Sequence, residues 1–98
     1  MLLDLSGKKI LVTGIANNRS IAWGIAQQLN AAGAELGITY LPDEKGRFEA
    51  KVKELTSPLN PSLFLPLNVQ NSSQIEEVFE AIKDKWGRID GLVHCLAF

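Results

Sequence analysis

The sequence holds one cysteine, Cys95, and one histidine, His94. A single cysteine cannot close an internal disulfide, so the chain is no disulfide-stapled secreted domain and suits a reducing compartment such as the cytoplasm. With no partner motif around them, the two residues define neither a metal site nor a nucleophile–base pair. Charge of one sign is also missing. Ten Lys and Arg stand against 11 Asp and Glu, a net charge of −1, which offers no basic field to nucleic acid or to an anionic membrane. No apolar run is long enough to cross a bilayer. The N-terminus, MLLDLSGKK, carries Asp4 where a secretory signal would be apolar. There is no internal repeat and no low-complexity tract. The one Pro- and Ser-rich stretch, TSPLNPS at 56–62, reads as a surface connection.

What remains is ordinary globular sequence. An apolar fraction of 46% in 98 residues is enough for one small domain with a real core. KKILVTG at 8–14 is a short β-branched run closed by glycine, a buried-strand signal. From Ser20 the period changes: Ile21, Ile25 and Leu29 recur every four residues until Gly33, a good residue just past a helix end. AELGITY at 34–40 is the second strand, and Phe48, Val52 and Leu55 mark a second helix with charged outer faces. SLFLPLNV at 62–69 is the third strand, placed at a sheet edge because Pro66 lacks an N–H. Ser73 with Glu76 makes a capping box for a third helix whose apolar face is Ile75, Val78, Phe79, Ile82 and Trp86, ended by Gly87. IDGLVHCLAF at 89–98 is the fourth strand.

The order β-α-β-α-β-α-β, with strands apolar throughout, predicts an α/β fold: a Rossmann-type doubly wound parallel sheet in strand order 3-2-1-4. Strand four is then expected in the middle of a wider sheet. A chain stopping on it at Phe98 reads as the first part of a longer protein, since the strand would otherwise be a long apolar edge.

The first turn, VTGIANNRSIAWGIA at 12–26, lacks the second glycine of a G-x-G-x-x-G fingerprint; Ala16 stands there. It is not a P-loop, because Arg19 and Ser20 occupy the places of that motif's glycine and lysine. Nor does the strand end, Thr13-Gly14, carry the acidic residues of a phosphoacceptor receiver domain. A helix N-terminus beginning near Ser20 supplies free N–H groups and a favourable dipole for a pyrophosphate, and the Ser20 hydroxyl adds a donor. Gly24 is expected to let that helix pack closely on the sheet. On Gly14 alone, an ordinary surface turn and a phosphate cradle are equally good readings.

Three stretches together carry a resemblance. LSGKKILVTG resembles the opening of the short-chain dehydrogenase/reductase family. GIANNRSIAWGIA, in which G-x5-S-I-A-x-G-I-A replaces the usual glycine loop, and WGRIDGLVHCLAF resemble its divergent branch, the enoyl-(acyl-carrier-protein) reductases. The similarity covers all 98 residues. It implies that residues 1–98 are the N-terminal portion of a single dinucleotide-binding domain. It also implies a full-length enzyme that reduces trans-2-enoyl thioesters on acyl carrier protein with a nicotinamide hydride in fatty acid biosynthesis, and that assembles as a homotetramer. By the same resemblance Gly14, Ser20 and Ile21 line the pyrophosphate and adjacent ribose. Asn68 and Val69 take the place of the family's Asp-Val pair at the adenine, with Asn68 departing from the aspartate, and Leu96 lies near the nicotinamide-side ribose. The family's catalytic Y-x6-K is absent: Tyr40, the one tyrosine, is followed at that spacing by Arg47. The resemblance therefore places no catalytic residue here and implies that the 98 residues alone are inactive.

Without the resemblance, Val69 and Leu96 read as core, Asn68 as a turn cap, His94 and Cys95 as structural strand residues on opposite faces, and Trp23 and Trp86 as packing. The charges of 43–54 read as a solvated helix face. At the cofactor's 2′ position, Asp43 and Glu44 come slightly late after the second strand, and Lys45 and Arg47 lie on the helix beyond. The reading favours NADH and leaves NADPH open. Two other functions stay open: a dinucleotide-binding module that senses redox state without turnover, and an α/β interaction domain that binds no nucleotide.

Overall fold

Four apolar runs form one parallel sheet in the computed structural model, which describes residues 4–95. They are β1 (Lys9–Val12), β2 (Glu35–Tyr40), β3 (Leu63–Pro66) and β4 (Gly91–Val93), in the order β3-β2-β1-β4. The connections are α1 (Ile21–Ala31), α2 (Arg47–Thr56) with a short 3-10 turn after it, and α3 (Ser72–Lys85). Because side chains alternate along a strand, the sheet buries two cores. Ile10, Val12, Leu36 and Ile38 pack with Ala22 and Ala26 of α1 and Val52 of α2. On the other face Leu11 and Leu63 pack with Val78, Ile82 and Trp86 at α3. Helices on both faces make the sheet doubly wound, as the sequence pattern predicts, and Pro66 does end an edge strand.

Several local expectations need correction. The buried stripe of α1 is Ala22 and Ala26, each 0% exposed, whereas Ile21 is 78% exposed. Methyl side chains let the helix axis approach the sheet, and the bulkier Leu29 packs at the flank. Gly24 does not mediate this approach, since a Cβ built there meets nothing within 4 Å. α3 opens at Asn71, whose side chain accepts from Ser73 N–H, so the expected Ser73–Glu76 box is displaced. Phe79 points to solvent. β4 is three residues long and, among the described residues, pairs only with β1; His94 and Cys95 follow it rather than belong to it. The end of α1 is as expected: Gly33 takes φ +94°, its N–H bonds Asn30 O and that of Ala34 bonds Leu29 O, which satisfies two terminal carbonyls.

The glycine that close packing requires is Gly37, in β2. A Cβ there would lie 2.8 Å from the Trp86 ring and 3.1 Å from a Leu11 methyl. Gly37→Ala is therefore expected to destabilise by about 1–3 kcal/mol through overpacking, read as a lower urea midpoint with an unchanged slope.

At the opposite edge from the strand C-termini, Trp86 Nε1 donates to Ser62 Oγ at 2.8 Å, and Ser62 Oγ donates to Glu35 Oε2 at 2.8 Å. Lys9 Nζ reaches the other Glu35 oxygen at 3.3 Å. The Ser62 hydroxyl holds the Glu35 carboxyl below its ordinary range; burial works against it and Lys9 assists. A lowered carboxyl stabilises the fold above its unfolded pKa, about 4.3, and that stabilisation is lost as pH falls through the folded value. The melting temperature should thus drop below about pH 4, and Glu35→Gln should blunt the drop. The contribution is at most about 1 kcal/mol, because the Glu35 side chain is 42% exposed and water screens it.

Candidate functional site

Parallel strands bring all their C-terminal ends to one edge, and the direction in which successive strands are added to the sheet reverses between β1 and β4. That edge holds an open cleft of about 500 Å³. Gly14, Ile15 and Ala16 come from the loop after β1, Ser20 and Ile21 from the start of α1, and Thr39 to Leu41 from the end of β2. Leu67 after β3 and Cys95 after β4 complete it.

The β1–α1 loop is held from within. Thr13 donates twice to Val93 O, from its N–H at 3.0 Å and its Oγ1 at 2.8 Å, tying the end of β1 to β4. Gly14 follows at φ +89°, and a Cβ there would sit 2.7 Å from the Cys95 carbonyl carbon and against its oxygen. Ser20 precedes α1 in extended conformation, but its side chain does not cap the helix. Instead Ser20 Oγ accepts from Ala16 N–H at 3.0 Å and Asn17 N–H at 3.1 Å. A hydroxyl has two acceptor sites and one hydrogen, so the hydrogen is what Ser20 has left to offer. The first-turn N–H groups of α1 receive no side-chain cap, and no acidic residue stands in that turn. The positive end of the helix dipole is thus open beside an uncharged, largely apolar cleft.

At β2, Tyr40 stacks on Phe64 with centroids 4.8 Å apart. Burial pushes its phenol up, and the Glu49 carboxylate adds to the shift. Leu41 stands at the strand end, where an acidic residue would meet a ribose. Asp43 is engaged elsewhere: its two oxygens accept from the Arg47 and Phe48 N–H groups, each at 3.2 Å, at the start of α2.

Of the residues singled out from sequence, Gly14, Ser20 and Ile21 line the cleft together. Asn68 and Val69 follow Leu67 directly but do not line it. The Asn68 amide oxygen accepts from Gln70 N–H at 3.0 Å, its own N–H donates to Gln74 Oε1 at 2.7 Å, and the Val69 side chain packs into the α3-side core. Leu96 lies outside the described residues. Cys95 borders the cleft, whereas His94 is exposed. Among the described residues no group of three His, Cys, Asp or Glu is arranged to hold a metal ion, and no helix is long and apolar enough to cross a membrane.

The model of the family described as Enoyl-(Acyl carrier protein) reductase matches residues 14–98. The chain belongs to that family. The NADH enoyl-(acyl-carrier-protein) reductase FabI of Nostoc sp. is 74% identical over 97 residues, covering 99% of this chain and 38% of the relative. FabI of Bacillus subtilis is 47% identical over 100 residues, again 38% of its own length. The chain thus spans well under half of the curated relatives it matches. Among solved structures, the Anaplasma phagocytophilum reductase in complex with NAD superposes with TM-score 0.88 at 36% identity, over 98% of this chain and 36% of that one. The Bacillus cereus enzyme with NADP+ and indole naphthyridinone gives 0.87 at 44% identity, over 99% and 37%. These matches make the Rossmann-type sheet of this family member the same fold as that of the enoyl reductases.

The cleft also contains residues to which the sequence reading gave no binding role: Thr39, Leu41 and Leu67 in its lining and Thr13 beneath it. Their type carries no chemical signature. Their position does, since each stands at or just beyond the C-terminal end of a strand in a sheet whose order was already predictable.

Proposed function

We propose that residues 1–98 are the cofactor-binding portion of a longer NADH-dependent enoyl-(acyl-carrier-protein) reductase acting in fatty acid biosynthesis. The observation that carries this reading is the cleft at the strand C-termini, where an uncapped helix N-terminus and the Ser20 hydroxyl both offer donors. Those residues fit a nicotinamide dinucleotide. Gly14 leaves no side chain between the loop and β4, the start of α1 receives the pyrophosphate, and exposed Ile21 covers a neighbouring ribose. Beyond the lining, the family resemblance assigns the Val69 N–H and the Asn68 amide to the adenine edge, and Leu96, outside the described residues, to the nicotinamide-side ribose.

When bound, the cofactor supplies the hydride that reduces the trans-2-enoyl thioester. This segment's own residues bind and orient it, and the apolar lining excludes water. The tyrosine and lysine that act on the thioester belong to the rest of the protein. Tyr40 is 8% exposed and stacked on Phe64, and Arg47 stands where the paired lysine would be. The substrate is carried by acyl carrier protein, the full-length enzyme is a cytoplasmic homotetramer, and NADH is preferred over NADPH. That preference follows the Nostoc and Bacillus subtilis relatives, because the end of β2 carries neither an acid nor an arginine.

The test is a turnover assay. The full-length protein, given a crotonyl thioester, should oxidise NADH faster than NADPH. Oxidation of neither overturns the enzymatic reading and favours a dinucleotide-sensing module.

A further inference from the structure

The turn at 17–20, just before α1, is bonded to itself from both ends. The Asn17 amide oxygen accepts from Arg19 N–H at 2.8 Å, and the Asn17 carbonyl accepts from Ser20 N–H at 3.1 Å. In return Asn17 N–H donates to Ser20 Oγ at 3.1 Å, beside the 3.0 Å bond from Ala16 N–H. Asparagine suits the first position of such a turn, because its short side chain bonds the backbone two residues on. Asn17 does not line the dinucleotide cleft. It borders a separate hollow against α2, with Lys51 and Leu55. Its route to a ligand in the cleft therefore runs through Ser20, which does line it.

We infer that Asn17 is a positioning residue for the cofactor's diphosphate: the turn that its side chain closes sets the direction and donor strength of the one hydrogen Ser20 offers to the cleft. The inference rests on the proposed function. A hydroxyl oxygen carries one bond to carbon, two acceptor sites and one hydrogen. With both acceptor sites taken by Ala16 and Asn17, a single direction is left for the hydrogen. The two N–H groups also draw electron density from the oxygen, which makes the hydroxyl a better donor to an anion. Removing the Asn17 amide releases Arg19 N–H, opens the turn and carries Asn17 N–H off Ser20 Oγ. The hydroxyl then rotates, and aligning it on the diphosphate costs entropy that the closed turn does not lose on binding.

The experiment uses the full-length protein and a double-mutant cycle of Asn17→Ala with Ser20→Ala. Calorimetric Kd values are measured for NADH and for ADP-ribose, which share the diphosphate. Asn17→Ala should weaken both ligands by roughly three- to tenfold, the range of one neutral hydrogen bond, and raise KM for NADH with kcat unchanged. In the Ser20→Ala background the same substitution should cost nothing further, the non-additivity expected when one residue acts through the other. Asn17→Ser, whose hydroxyl accepts in the same turn more weakly, should fall between wild type and Asn17→Ala, and it carries the same cycle if the alanine variant does not fold. Asn18→Ala, at the exposed neighbouring position, should bind as the wild type does. Wild-type affinity in Asn17→Ala overturns the inference. So does an undiminished loss with Ser20→Ala present, which would make Asn17 a support of the loop alone, and so does an equal loss in Asn18→Ala. A wild-type protein that binds neither ligand overturns the proposed function, and the inference with it.

Discussion

Gly14→Ala is expected to cost the full-length protein about 2–5 kcal/mol of stability and to weaken NADH binding by at least a hundredfold. Two effects add. At φ +89° an L-residue bears backbone strain of about 1–2 kcal/mol. Its Cβ would also overlap the Cys95 carbonyl, an atom of main chain that cannot rotate aside, and overpacking of this kind costs about 1–3 kcal/mol. The loop can relieve the overlap only by lifting off β4, which pulls Thr13 from Val93 O and carries Ala16 and Asn17 away from Ser20. The phosphate donors then lose their alignment, and each 1.4 kcal/mol lost is tenfold in Kd. Gly24→Ala is the matched control. Its Cβ meets nothing, and alanine in a helix interior stabilises by about 0.5–1 kcal/mol relative to glycine. Urea midpoints and calorimetric Kd values for the two variants, measured side by side, should move in opposite directions for stability. Similar behaviour of the two would remove the close approach as the reason for Gly14.

Ser20→Ala should weaken NADH binding by roughly tenfold to a hundredfold, the range of one hydrogen bond to a charged group. The variant keeps the α1 N-terminus and its dipole, so the loss isolates the hydroxyl. The structure adds a second route to the same outcome: Ala16 and Asn17 lose their common acceptor, which loosens the loop before any ligand arrives. A melting temperature that falls while Kd stays constant would assign Ser20 to the loop alone.

These two residues were legible in the sequence because a motif was visibly broken around them: Ala16 replaced a glycine, and a serine opened the helix. The sheet was legible for a different reason. Period-2 and period-3.6 patterns alternate cleanly, and parallel strands joined by helices admit few topologies. What the pattern could not rank was Ala22 against Ile21. Hydrophobicity favours isoleucine, but helix–sheet distance favours the methyl side chain, and that distance is a tertiary property. The helix consequently turns its isoleucine to the cleft. Gly37 was readable in principle, since a glycine inside a strand signals a close approach, although the approaching ring, Trp86, lies far along the chain. The role of Ser20 changed in detail for a similar reason. A side chain at a helix start ordinarily caps forward, and only the folded loop reveals that this one reaches backward to Ala16 and Asn17. Asn68 and Val69 were placed by resemblance, and their bonds to Gln70 and Gln74 and packing against α3 depend on a turn that no short motif encodes.

Titration calorimetry of the full-length protein with NADH, alongside Gly14→Ala, asks whether the cleft holds a dinucleotide. One saturable site per chain is expected, with binding weakened beyond measurement in Gly14→Ala while Gly24→Ala binds as the wild type does. No saturable heat from a correctly folded wild-type protein, or equal affinity in Gly14→Ala, would contradict the assignment of the cleft between β1 and α1 as the dinucleotide site.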